Sequence, residues 1–176
     1  MQPDSIQSFI RDVHDFPKPG IIFKDITPLL ENPKMVDRVL QELAAPYRKE
    51  RIDAIAAIES RGFLFGFLLA KELGVPFIPV RKEGKLPYKK IRQEYSLEYG
   101  TAAMEMHEDA VQKGWRIVIH DDLLATGGTA NAAGQLIQKL GGEVTGFSFI
   151  INLDFLGGFH LLSKAYNCGT HYLIRY

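Results

Sequence analysis

Two adjacent carboxylates, Asp121 and Asp122, stand between a short apolar run, Arg116-Ile117-Val118-Ile119-His120, and the stretch Leu123-Leu124-Ala125-Thr126-Gly127-Gly128-Thr129. The run is β-branched enough for a buried parallel strand, which places the acids at its carboxyl end. Beyond the glycine turn, Ala133, Leu136, Ile137 and Leu140 keep helical spacing from Ala130 to Leu140. Unblocked N–H groups and two threonine hydroxyls at a helix N-terminus suit a bound phosphate. The helix dipole contributes only ~0.3–1 kcal/mol, against roughly 1.5–3 kcal/mol for each hydrogen bond to a charged group, so the donors dominate. The acid pair would repel that phosphate and must face ribose hydroxyls, a metal or a developing cation. A sugar phosphate satisfies both ends, although two acids at a strand end also fit a magnesium site or a receiver-type acid pocket.

A second stretch repeats this order. Ile52 to Ile58 reads as a strand buried on both faces and ends in Glu59-Ser60-Arg61-Gly62, ahead of a helix from Phe63 to Leu73. Its turn reads most naturally as a second anion cradle with Arg61 as helper; a tight turn whose arginine caps something structural is the lesser alternative. After a short strand, Pro76 to Val80, comes Arg81 to Tyr95, with six basic residues against Glu83 and Glu94. Such a run by itself is a solvated loop. Beside two anion cradles it reads as a mobile basic lid, with Gly84 and Pro87, that closes over a diphosphate and excludes water. No GxxxxGK[ST] phosphate loop occurs in the chain.

The remaining elements must position these groups. Residues Asp4 to Val13 are expected as a short helix, broken by Phe16-Pro17-Lys18-Pro19-Gly20. Ile21 to Leu30 is expected as an extended segment and turn packed at the surface. Asn32 and Pro33 start a helix with Val36, Val39, Leu40 and Leu43 on one stripe. Tyr95 to Gly100 alternates like a strand and pairs with Thr101 to Met106 as a hairpin. Gly141-Gly142 ends the helix after the acid pair, Val144 to Ile151 is a strand, Asn152 to Tyr166 a loop and short helix, and His171 to Tyr176 a final strand. This alternation predicts an α/β fold, one open, mainly parallel sheet with ligands at the carboxyl ends of its strands.

Composition narrows the partners. The chain has 176 residues, 46% hydrophobic and 24% charged, as expected of one globular domain. Lysine plus arginine equals aspartate plus glutamate, 21 against 21, which argues against a nucleic-acid surface. Cys168 is the only cysteine, so no internal disulfide forms and a reducing, cytoplasmic setting is expected. The five histidines lack ligand spacing. The greasiest segment, Gly62 to Ala70, is too short to cross a bilayer, and the N-terminal residues lack the apolar core of a secretory signal.

The stretch from Asp121 to Ala130 resembles the phosphoribosyl-diphosphate (PRPP) signature of type I phosphoribosyltransferases. Phe16-Pro17 with Pro19 to Leu30, Glu59 to Gly66, Val80-Arg81-Lys82 with Lys85-Leu86-Pro87, and Tyr95 to Gly100 each resemble the adenine phosphoribosyltransferase family. The likeness spans nearly all of Phe16 to Gly142. It implies the family's fold, a twisted sheet flanked by helices, with a small N-terminal hood over about residues 1–34 and a core over 35–176. It further implies transfer of phosphoribose from PRPP to adenine, giving AMP and diphosphate with Mg²⁺. Ala125, Thr126, Gly127, Gly128 and Thr129 would hold the 5′-phosphate, and Asp121 and Asp122 the ribose hydroxyls. Ser60 and Arg61 would hold the diphosphate, assisted by Arg81, Lys82 and Lys85 across the interface of a homodimer. Ile22, Phe23 and Lys24 would read the base through backbone groups, which favours adenine over oxo-purines. Glu98 is the candidate acid/base on the purine ring. Magnesium would ride on the substrate's own oxygens, with no direct protein ligand. Two residues depart from the family pattern: Lys24, where arginine is common, and His120, where an apolar residue is usual. A phosphoribosyltransferase for another purine base, or a PRPP-binding regulator without turnover, are the rival readings.

Overall fold

The computed structural model describes residues 5–96 and 100–176. The chain divides into two compact units, residues 1–42 and 43–176. In the first, a 3-10 turn (Ile6–Phe9) precedes strands β1 (Arg11–His14) and β2 (Ile22–Asp25), which pair antiparallel from Arg11↔Asp25 to His14↔Ile22. The helix expected over residues 4–13 is therefore only a turn, because Arg11 to His14 gain ladder bonds to a partner that local capping signals do not reveal. The turn between the strands is held by the Gly20 N–H, which donates to Asp15 Oδ1 at 2.7 Å.

Residues 21–30 also differ from expectation. After β2 comes a helical turn, α1 (Thr27–Leu30), and both Ile26 and Leu29 are buried rather than at the surface. The Asp25 carboxylate makes the change of direction, accepting from the Thr27 N–H at 2.9 Å and its hydroxyl at 2.6 Å. The next helix, α2 (Pro33–Ala44), starts where Asn32 and Pro33 place it, with Asn32 Oδ1 accepting the Met35 N–H. It buries Met35, Val39 and Leu43, while Val36 and Leu40 are half-buried.

The second unit is a seven-stranded sheet with helices on it. In chain order it holds β3 (Ala54–Ile58), α3 (Gly62–Leu73), β4 (Phe77–Lys82), β5 (Lys90–Ser96) and β6 (Thr101–His107), then β7 (Arg116–Leu124), α4 (Gly128–Lys139), β8 (Glu143–Asn152), α5 (Gly158–Ala165) and β9 (Gly169–Arg175). The spatial order is β5-β6-β4-β3-β7-β8-β9. Strands β4, β3, β7, β8 and β9 are parallel, and the β5-β6 hairpin continues the sheet antiparallel beside β4. On one face Ala56, Ile58, Ile117, Ile119, Phe147 and Phe149 pack with Ala133, Leu136 and Ile137 of α4 and Leu162 of α5. The alternate residues of β3 and β7 face the other side, where α3 lies.

The basic stretch 81–95 is not one continuous loop. Arg81 and Lys82 finish β4, Lys90 to Tyr95 belong to β5, and only residues 83–89 form a turn. Ile91 and Tyr95 alternate onto the core, a period-two pattern that the charge count hid. Thr101 to Met106 does pair in a hairpin, but its partner strand is Lys90–Ser96; of the strand expected over Tyr95 to Gly100, residues 97–99 lie outside the described residues.

Candidate active site

The site grows from the order of strands. From β3 the chain passes through α3 to β4 on one side, and from β7 through α4 to β8 on the other. The carboxyl ends of β3 and β7 therefore flank the point where the winding reverses, the crevice in which open α/β sheets bind ligands. Residues 59–61 leave β3 there, and residues 125–127 leave β7. The acids sit inside β7, not after it: pairing with β3 ends at His120↔Ala57, whereas pairing with β8 continues to Leu124↔Asn152. Asp121 and Asp122 are thus held on one side only, and their other side opens to the turn after β3.

The two turns converge. Arg61 Nε lies 2.9 Å from Asp122 Oδ2, and Asp122 itself is buried. The Asp122 N–H donates to Asp121 Oδ1 at 2.9 Å. A cavity of about 220 Å³ is lined by Glu59, Ser60, Arg61, Lys82, Asp121, Asp122 and Leu123. A smaller one, about 70 Å³, is lined by Asp121, Leu123, Leu124, Ala125, Thr126, Gly127, Thr129, Ala130 and Phe149. Asp121 and Leu123 belong to both, so they form the wall between a larger polar chamber and a small phosphate-sized one.

Charge is arranged to match. Burial, then repulsion from Asp122, pushes the Asp121 carboxyl well above its ordinary value. Burial also raises Asp122, against the opposing pull of Arg61. In Glu59 burial works upward too, but hydrogen bonds from Arg81 and the Lys82 N–H outweigh it and hold the carboxyl below its ordinary range. Arg81 reaches Glu59 at 3.0 and 3.2 Å, so it braces the turn after β3, while the Lys85 side chain is exposed on the turn after β4.

The turn after β7 is built by close approach. Gly127 caps α4 with φ +80°, and a Cβ there would lie 3.1 Å from the Cα and O of Gly158. A Cβ on Gly158 would fall 2.2 Å from the Ala125 carbonyl, which accepts the Gly158 N–H. Gly128, the first residue of α4, faces Tyr95 at the end of β5. The first N–H groups of a helix have no partners within it, and Gly127, Thr129 and Ala130 at the start of α4 line the small chamber. His120 now has a physical role: it is fully buried, its Nδ1 lies 3.2 Å from Ser148 Oγ, and its ring lies beside Gly66 of α3. Burial pushes its imidazole down to about 3, so it packs as a neutral group.

Of the residues expected at the site, Ser60, Arg61, Lys82, Asp121 and Asp122 share one chamber and Ala125, Thr126, Gly127 and Thr129 the other, with Gly128 at the same turn. Ile22, Phe23 and Lys24 lie together on β2 of the first unit, with Lys24 Nζ 2.7 Å from Asp12. Glu98 lies outside the described residues. Glu59, Leu123, Tyr95 and Gly158 were missed as site residues. The Gly157-Gly158 pair was a sequence signal for a close backbone approach, but nothing local said to which turn. Among the described residues no three His, Cys, Asp or Glu side chains converge as a metal cage. A divalent cation that keeps most of its shell from substrate oxygens and water needs no such cage, so the residues present fit one that arrives with the substrate.

A family model of the phosphoribosyl transferase domain matches residues 25–152. The chain is 56% identical over 154 residues to an adenine phosphoribosyltransferase of Cytophaga hutchinsonii, an alignment covering 88% of this chain and 85% of that protein. The crystal structure of adenine phosphoribosyltransferase from Rhodothermus marinus superimposes with a TM-score of 0.92 at 45% identity, covering 97% of this chain and 96% of that one. The enzyme from Saccharomyces cerevisiae, complexed with an imino-altritol bisphosphate and adenine, superimposes with a TM-score of 0.88 at 37% identity, covering 96% of each chain.

Proposed function

The chain belongs to the phosphoribosyltransferase family, among its adenine phosphoribosyltransferases, and from that premise we propose that it joins N9 of adenine to C1′ of PRPP, releasing diphosphate and forming AMP in purine salvage. The observation that carries this reading is the meeting of the turn after β3 with the carboxyl end of β7 at Arg61 and Asp122. One molecule with a phosphate at one end, a diphosphate at the other and a sugar between them can span both chambers.

In this reading the donors from Ala125 to Thr129 fix the 5′-phosphate, and Ser60, Arg61 and Lys82 take the diphosphate with help from Arg81 and Lys85. As the C1′–O bond to diphosphate breaks, its electron pair leaves with the diphosphate and positive charge gathers on the ribose ring. Asp121 and Asp122, bonded to the ribose hydroxyls, stabilise that charge where it develops. N9 then bonds to C1′, and Glu98 as general base accepts the ring N–H proton that adenine loses. Ile22, Phe23 and Lys24 present backbone C=O and N–H groups to adenine's amino group and ring nitrogen, an order that oxo-purines reverse. When bound with the substrate, magnesium would supply charge neutralisation for the leaving diphosphate, with no direct ligand from this chain. The working form is a homodimer in the cytoplasm.

Initial rates with PRPP, Mg²⁺ and each of adenine, hypoxanthine and guanine test the assignment. Adenine alone is expected to turn over well. Comparable rates with an oxo-purine would replace the base, and no AMP at all would leave a PRPP-binding module. Glu98→Gln should lower turnover with little change in PRPP binding, and full adenine turnover in that variant would remove Glu98 from the chemistry.

A further inference from the structure

Glu105 on β6 is a charged residue with only 3% exposure; it pairs with Arg81 of β4 and lines neither chamber itself. A buried carboxylate is unfavourable unless it is paired and hydrogen-bonded. Here Oε2 accepts the Gly84 N–H at 3.1 Å and lies 3.0 Å from Lys90 Nζ. Both partners belong to the basic turn between β4 and β5 or to its exit. Lys90 Nζ then donates to the Leu86 carbonyl at 3.0 Å. Arg81, while bracing Glu59, donates to the Lys85 carbonyl at 2.7 Å. His107 Nε2 lies 2.8 Å from the Pro87 carbonyl. Four successive residues, Gly84 to Pro87, thus each have a backbone group held by a side chain from β4, β5 or β6.

We propose that Glu105 is a positioning residue for diphosphate binding: it fixes the turn that presents Lys85 beside Lys82 and Arg81, directly at Gly84 and indirectly through Lys90 at Leu86. The proposal rests on the reading above in which these cations hold the leaving group. Its physical logic is entropic. A turn of seven residues with Gly84 in the left-handed region (φ +80°) would otherwise have to be ordered by the substrate itself, at the expense of affinity. The sign of the electrostatics separates positioning from mere proximity. A carboxylate near an anion site repels the anion, so deleting its charge tightens binding if charge is its only effect, and loosens binding if it holds the cations in place.

The test compares Lys85→Ala, Glu105→Gln and Glu105→Leu in the full chain by KM for PRPP, KM for adenine, kcat and thermal melting. Glu105→Leu is expected to raise KM for PRPP by about tenfold and leave KM for adenine within about twofold, with Glu105→Gln, which keeps an acceptor for Gly84, between it and the parent. Should Lys85→Ala raise KM for PRPP while both Glu105 variants leave it unchanged or lower it, the positioning role is overturned and the diphosphate reading stands. Should Lys85→Ala itself leave KM for PRPP unchanged, the turn holds no diphosphate and the proposal falls with it. If Glu105→Leu melts below the assay temperature, the Gln variant decides by the same rule.

Discussion

Asp121 is held in a state that suits substrate and not the empty protein. Burial and the neighbouring Asp122 push its carboxyl well above the ordinary value of 3.8, so the folded chain binds more protons than the unfolded chain in the window above 3.8. Stability of the ligand-free protein therefore falls as pH rises from the unfolded value through the folded one. Asp121→Asn removes this penalty and keeps an oxygen for the Asp122 N–H. It is expected to raise the melting temperature, to flatten the acid-to-neutral dependence of melting on pH, and to lower kcat/KM for PRPP at least tenfold, about 1.4 kcal/mol. Differential scanning calorimetry across pH alongside initial rates checks both halves. A lower melting temperature with intact turnover would mean that the pair is structural rather than poised for ribose. Such trade-offs are the usual signature of a group placed for binding.

The helix α3 owes its position to two glycines one turn apart. A Cβ on Gly66 would lie 2.4 Å from the Cβ of Ala57 in β3, and one on Gly62 would lie 2.7 Å from Asp121 Oδ1 and 3.0 Å from its Cα. The first contact is packing alone, the second is packing against the site. Gly66→Ala is accordingly expected to destabilise by about 1–3 kcal/mol, the usual effect of overfilling a tight interface, with KM for PRPP preserved in the folded fraction. Gly62→Ala should instead displace the acid from the ribose position and raise KM for PRPP at least tenfold. Thermal melts and kinetics on the two variants separate these outcomes, and equal kinetic defects would show that the whole helix shifts as one body. Elements of this kind were legible in the letters. Strand, turn and helix repeated at Ile52 to Leu73 and at Arg116 to Leu140 because both hydrophobic period and glycine turn chemistry are local. What was not legible depended on partners far along the chain. Arg11 to His14 became a strand only because Ile22 to Asp25 lay opposite it, Lys90 to Tyr95 only because β6 did, and Gly158 joined the turn after β7 from far along the chain.

At the scale of the whole molecule, the same helix carries an apolar ridge on its outer side. Leu64 and Phe67 are 45% and 58% exposed, and the rings of Phe63 and Phe67 meet Phe77 edge to face at 5.6 and 5.7 Å. Phe63 and Phe67 lie two and six residues beyond Arg61, so a second copy seated on them would approach the chamber that Arg61 lines. With net charge zero, nothing in the long-range field keeps two copies apart. A two-fold contact presents the same patch from both sides, so one substitution changes both halves of it. The chain is therefore expected to sediment at twice its 19.8 kDa, and Phe67→Glu to shift it toward the single-chain mass, because each copy would then bury an unpaired carboxylate against the other. KM for PRPP should rise in the same variant if the partner's cations help to hold the diphosphate. Sedimentation equilibrium decides the first part. A parent chain at 19.8 kDa, or a Phe67→Glu variant still at double that mass, would place the ridge outside any dimer contact.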